Sequence, residues 1–242
     1  MELIKHLNYE NDWIIKNQMG LNPLLLTEWG FYNYEPKSNS VVFDLGCGKA
    51  ISSIFIAKEF NCQVFAVDLW IKSIENFNRI KEFGLESKIV PLNCDARELP
   101  FPNEYFDCIN CTDAFIYFGT DDTYISYISK FIKPGGYLIF TVPEFPNEEP
   151  DTIPEYLKPF WADECWTWHT PKWWERHIGK YDYYKIKQIK ILKNGIEKWI
   201  EWKILRKKYE PENKSLDVDI NIMKTDGGKN MGFIKVVAQR IN

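Results

Sequence analysis

The ten residues Val41-Val42-Phe43-Asp44-Leu45-Gly46-Cys47-Gly48-Lys49-Ala50 constrain the fold more than any other stretch. An apolar run reads as a buried strand, stops at an acid and two glycines, and gives way to Ile51–Phe60, which reads as a helix. A strand that turns into a helix through glycines brings backbone close to a ligand, because a Cβ at Gly46 or Gly48 would block the approach. The spacing fits neither a dinucleotide nor a P-loop. Ile51 stands where G-x-G-x-x-G needs its third small residue, and no G-K-[ST] follows. A carboxylate at Asp44, ahead of the glycines, suits a ligand that carries positive charge.

Asp44-Leu45-Gly46-Cys47-Gly48 resembles the first motif of class I S-adenosylmethionine-dependent methyltransferases, an acid followed by G-x-G-x-G, with Ala50 in place of the third glycine. The resemblance runs in order from Val41 to Glu144. Gln63–Val67 reads as a second strand ending at Asp68, where the family places an acid on the ribose hydroxyls. Lys88–Asn93 reads as a third, followed by Cys94-Asp95-Ala96, where the family's adenine-binding acid sits. Tyr105–Asn110 resembles the fourth strand, and Ile132–Leu138 the family's Pro-Gly-Gly turn into the fifth. The resemblance implies an α/β fold, a doubly wound seven-stranded, mostly parallel sheet, with S-adenosylmethionine as cofactor and S-adenosylhomocysteine as product. It places Asp44, Gly46, Cys47, Gly48, Asp68, Leu69, Asp95 and Ala96 around that cofactor. In that role Asp44 biases the local field towards the cationic groups, and Leu69 and Ala96 cover the adenine ring.

The whole chain, 1–242, reads as one domain with additions. Residues 1–37 form an N-terminal helical lid, 38–144 the cofactor core, 145–180 an insertion, and 181–242 the strands and helix that complete the sheet. The net charge of −4 gives no global basic field for nucleic acid. The expected partner is a small molecule, with no nucleic acid and no membrane; no leader or membrane span is legible, so the expected location is cytoplasmic. Oligomeric state is left open. Six cysteines without an export signal read as free thiols, and Cys108-x-x-Cys111 lacks a second pair, so no metal is expected. Cys47, Cys94 and Cys111 each fall just beyond a strand; they read as small apolar packing around the cofactor, with a thiol relay of the arsenite-methylating kind as the competing reading.

Outside the motifs, Asn22 and Pro23 open a helix whose Leu24, Leu25 and Trp29 face inward, and Gln18–Asn22 is the candidate lid. Trp70, Ile74, Phe77 and Ile80 share one helical face. Lys207–Lys229 reads as a polar loop closing on an Asp226-Gly227-Gly228 turn. The substrate-facing loop is Thr112–Asp122, where Asp113 and Tyr117 are expected to touch the nucleophile and Asp121 and Asp122 to cap the next helix. The insertion holds half of the ten tryptophans. Trp166, Trp168, Trp173 and Trp174 read either as an aromatic cage for a cationic amine or as the insertion's own core. His169 beside them is a candidate base. Together these readings point to methyl transfer to a small-molecule nucleophile, with an amine preferred. The rival is a non-catalytic protein on the same fold that binds an adenosyl ligand or a partner.

Overall fold

The structure, a computed structural model, describes residues 3–242. Strands β1 (Val41–Leu45), β2 (Gln63–Asp68), β3 (Ile89–Asn93), β4 (Phe106–Thr112) and β5 (Ile132–Glu144) pair in parallel. β6 (Tyr184–Ile191) and β7 (Gly232–Arg240) complete a seven-stranded sheet of order β3-β2-β1-β4-β5-β7-β6, in which β7 runs antiparallel to both neighbours. Strand alternation divides the core: Val42 faces one apolar cluster, and Phe43 and Leu45 face the other. Helices α1 (Asn11–Asn17), α2 (Pro23–Phe31), α3 (Ile51–Phe60) and α4 (Ser73–Glu82) contribute to the first cluster. Helices α5 (Tyr124–Ser129) and α6 (Pro171–Ile178) pack on the second, and α7 (Gly195–Tyr209) reaches both through Trp202 and Trp199. The sheet order reverses between β1 and β4, so the carboxyl ends of these strands open a crevice there.

The expected helix opening at Pro23 is present, with the Asn22 side chain accepting from the Leu25 N–H and Leu24, Leu25 and Trp29 buried. Several expectations are corrected. α4 turns Trp70, Ile74 and Phe77 outward and buries Asn76 with Ile80, because Asn76 is drawn in by a hydrogen bond to the Gly48 carbonyl. The supposed loop of 207–229 contains helix α8 (Ser215–Asp226), which spaces Leu216, Ile220 and Met223 by four and three and buries all of them. Its polar average hid that periodicity, although the Asp226-Gly227 turn ends it as expected, with Gly227 at φ +58°. β5 begins ahead of its glycines, at Ile132, and β4 continues two residues past Asn110. Asp121 accepts from Thr123 as a cap should, whereas Asp122 ties instead to Lys180 of the insertion.

Two buried charges fasten the N-terminal helices. The Glu28 carboxylate accepts from the backbone N–H groups of Ile4, Lys5 and His6, each at 3.0 Å, and lies 2.6 Å from His6 Nδ1. Burial alone would raise its pKa, but these bonds hold it below the usual carboxylate range. Lys235 Nζ donates to the carbonyls of Trp29 and Tyr32 at 3.0 and 3.1 Å, closing the C-terminal end of α2.

Glu144, the last residue of β5, has neither. Its side chain is inaccessible, both oxygens lack a partner, and burial pushes its pKa up to about 8. Between the ordinary value of 4.5 and about 8 the folded chain retains a proton that the unfolded chain has released. Stability therefore falls as pH rises through that window. Glu144→Met is expected to raise Tm at pH 8, by about 2–4 °C for each kcal/mol recovered, and to flatten the dependence between pH 5 and 8; thermal unfolding across pH checks it.

Candidate functional site

A cavity of about 240 Å³ opens at the carboxyl ends of β1, β2 and β4. Its floor is the glycine turn. Gly46 and Gly48 have φ of +68° and +52°. A Cβ on Gly46 would come within 2.5 Å of the Ala114 Cβ, and one on Gly48 within 3.0 Å of the Met19 sulfur. Ala50, in the third small-residue position, is itself left-handed at φ +62°, a conformation that costs a residue with a Cβ about 1–2 kcal/mol.

Asp44 holds this turn from behind. It does not line the cavity, contrary to a direct role in shaping the ligand's field. Its carboxylate accepts from Ser52 and Ser53 hydroxyls at 2.6 and 2.5 Å and from the Asn110 amide at 2.7 Å, so α3 and β4 are tied to β1 through one side chain. Burial raises its pKa despite these bonds. Asp68 does line the cavity, and its carboxylate is already engaged: one oxygen accepts from Gly48 N–H at 2.8 Å, the other from Trp70 and Ile71 at 2.8 and 3.0 Å. Such a carboxylate has about four acceptor positions, so capacity is left for a ligand hydroxyl, though not for every hydroxyl through free lone pairs. Leu69, Asp95 and Ala96 form the neighbouring wall, with Asp95 accepting from Arg97 N–H at 2.8 Å.

The opposite wall comes from the segment read as a lid and from the loop after β4. Met19, Gly20 and Leu21 line the cavity, and Gly20 is held by the Trp202 indole at 3.1 Å. Asp113, Ala114, Tyr117 and Phe118 face them. Asp113 sits at φ +59°, and its carboxylate lies 3.5 Å from the Leu21 N–H. Burial pushes its pKa up to about 7, with Glu164 adding to the rise. Tyr117 is raised to about 12, chiefly by burial and then by Asp113, so its phenol keeps its proton at neutral pH and serves as a donor or a wall rather than a base.

Three other sequence readings change. His169 is not at the cavity: its ring stacks on Trp173 at 3.7 Å and its Nδ1 lies 3.0 Å from Glu149. None of Trp166, Trp168, Trp173 and Trp174 lines the cavity either; Trp168 and Trp174 are buried in the core on that face of the sheet, with the Trp174 ring 4.8 Å from Phe140 of β5, which favours the core reading over the cage. Cys111 is buried within β4 and reaches no cavity surface, whereas Cys47 and Cys94 do. Burial drives Cys47 and Cys111 well above the ordinary thiol value and also raises Cys94. A relay needs thiolates, and this setting disfavours them. Among the described residues no cluster of metal ligands is found.

Sequence reading missed Lys49, Trp70 and Arg97 as lining residues. Their signal was positional. Trp70 and Arg97 each lie two residues beyond a motif acid, where a strand end delivers the chain to the rim.

The cavity fits an adenosyl sulfonium on its own chemistry: open backbone at two glycines, acids on the rim for hydroxyl and amino donors, and apolar Leu69 and Ala96 between them. Asp68→Ala removes the acceptors of three backbone N–H groups at the cavity wall. It is expected to weaken binding of S-adenosylmethionine and S-adenosylhomocysteine at least about tenfold, read by calorimetry. Unchanged affinity would remove Asp68 from the cofactor site.

Residues 42–136 match the family model described as a methyltransferase domain. The carboxy-S-adenosyl-L-methionine synthase of Shewanella sediminis is 27% identical over 151 residues, covering 61% of this chain and 61% of that protein. The sarcosine/dimethylglycine N-methyltransferase of Halorhodospira halochloris is 25% identical over 116 residues, 48% of this chain and 42% of that one. The chain thus spans less than two thirds of the length of these relatives. In fold it is similar to the [4+2]-cyclase SpnF, with a TM-score of 0.70 at 14% identity over 93% of this chain and 83% of that one. Other solved structures of this fold hold S-adenosylmethionine or S-adenosylhomocysteine. Over residues 42–136 the chain carries a methyltransferase domain, and its relatives and fold support a class I S-adenosylmethionine-dependent methyltransferase.

Proposed function

We propose that the protein transfers the methyl group of S-adenosylmethionine to the nitrogen of a small amine. The observation that carries this reading is Asp113, a carboxyl on the acceptor wall with its pKa near neutrality and an otherwise apolar surround. When bound, S-adenosylmethionine supplies an activated methyl whose departure discharges its cationic sulfur. The chain's own task is then to hold and orient the acceptor and to exclude water. Ionised Asp113 attracts an ammonium and can take its proton at Oδ2, leaving a nitrogen lone pair to attack. Tyr117 and Phe118 wall the acceptor, and Met19 to Leu21 close the side towards solvent. The Halorhodospira relative is by its name an amine methyltransferase, which supports the amine over other nucleophiles. The insertion enters only indirectly: its turn Asp163–Thr167 packs on the turn Phe115–Tyr117 and so supports Asp113 from outside the cavity.

The direct test is release of S-adenosylhomocysteine on incubation with S-adenosylmethionine and a panel of primary, secondary and tertiary amines, with phenols and thiols beside them. Turnover restricted to amines supports the reading. Cofactor binding without turnover on any nucleophile would instead favour a protein that uses the fold for another purpose.

With the active amine in hand, kcat/KM is expected to rise with pH through about 7, because the acceptor-binding form of Asp113 is the anion. In Asp113→Asn this limb should vanish, activity should fall at least about a hundredfold, and only the limb set by the amine's own pKa should remain. Tyr117→Phe is expected to keep the pH profile and to cost no more than about tenfold, since the phenol holds its proton throughout the range.

A further inference from the structure

The outward face of α4 exposes two large apolar side chains among its polar ones. Ile74 is 61% exposed and Phe77 38%, while Asn76 and Ile80 are turned in and Arg79 is bonded to Asn17 and Asn76. Leu69 and Trp70, just ahead of the helix, are 53% and 65% exposed and continue the same surface to the cavity mouth, where Trp70 meets the Tyr117 ring at 5.6 Å. Lys72 and Lys81 flank this surface on α4, and Lys49 lies on the same mouth. None of these three lysines forms an ion pair among the described residues. Of the acids nearby, Glu75 pairs with Arg79 and Asp95 with Arg97, while Glu82 accepts from the Trp13 indole and keeps its charge, so the three lysines exceed this one unpaired acid. A chain of net charge −4 thus presents, at one place, exposed Trp, Leu, Ile and Phe beside a local surplus of lysines.

We infer that this α4 face docks on an anionic lipid bilayer, setting the cavity mouth against the membrane surface. A tryptophan with aliphatic neighbours and a lysine fringe matches the interface between acyl chains and anionic headgroups. A second copy is a poorer match. Two-fold pairing of this face on itself would bring its lysines towards their own counterparts, and Pro91 in the edge strand β3 beside α4 blocks extension of the sheet. The bound cofactor does not account for the patch either, since Ile74 and Phe77 do not line the cavity. Lack of a spanning helix led to the expectation of no membrane partner; the surface of α4 revises it.

The inference stands apart from the amine reading, because binding is measured without turnover. The full chain is sedimented with vesicles of phosphatidylcholine alone and of phosphatidylcholine mixed with phosphatidylglycerol, at low and at high salt. Binding to the mixed vesicles, weakened by salt, is expected, and Ile74→Glu/Phe77→Glu should reduce it at least about tenfold while thermal unfolding and S-adenosylmethionine affinity stay unchanged. A second variant, Lys72→Ala/Lys81→Ala, should weaken binding to the mixed vesicles while keeping the apolar face. Failure to bind the mixed vesicles, or equal binding by the Ile74/Phe77 variant, overturns the inference. A dimer in light scattering that this variant dissociates, with no vesicle binding, assigns the face to a second copy and overturns it as well.

Discussion

The site depends on a carboxyl that does not reach the cavity surface. Asp44, sealed inside the sheet, gathers two hydroxyls from the first turn of α3 and an amide from β4, and so fixes the angle at which β1 hands the chain to the helix. Every close approach in the cavity follows from that angle. The glycines present backbone because the turn is tight, Asp68 reaches across to the Gly48 N–H because β2 lies beside it in register, and Asn76 closes the loop by bonding the Gly48 carbonyl. A buried acid is costly unless its acceptors are used, and here both oxygens are. The same residue type at Glu144, with no partner, shows the opposite case.

The cofactor half of the site was legible in the sequence because it is built from local constraints. A strand that stops at glycines, and acids that fall at strand ends, can be read without knowing what packs on what. Gly46, Gly48, Asp68, Asp95 and Ala96 all reach the cavity for that reason. The acceptor half depends on packing between distant segments. That Met19 overlies Gly48, or that Leu21 faces Asp113, follows from the way α2 is clamped by Glu28 and Lys235, and neither clamp leaves a periodic trace.

The misreadings share one cause. Apolar spacing was taken as a sign of burial on α4, and its dilution by polar residues as a sign of a loop on α8. On α4 the pattern was real but faced outward, because polar Asn76 had a better use inside. In the insertion Trp168 and Trp174 joined the core on that face of the sheet, while Trp166 stayed exposed and His169 stacked on Trp173. On α8 four buried apolar residues among many polar ones were sufficient for a helix. Periodicity identifies a face; which way it points is decided by the partners available.

The backbone at position 113 has a consequence for how this sequence can drift. A left-handed residue there is tolerated by aspartate, asparagine and glycine and resisted by most others. Asparagine and glycine would both remove a carboxyl that the surroundings penalise on ionisation. Either exchange would keep the turn and spare the fold the burial of that charge, so the backbone at 113 admits few residues, of which only one is an acid.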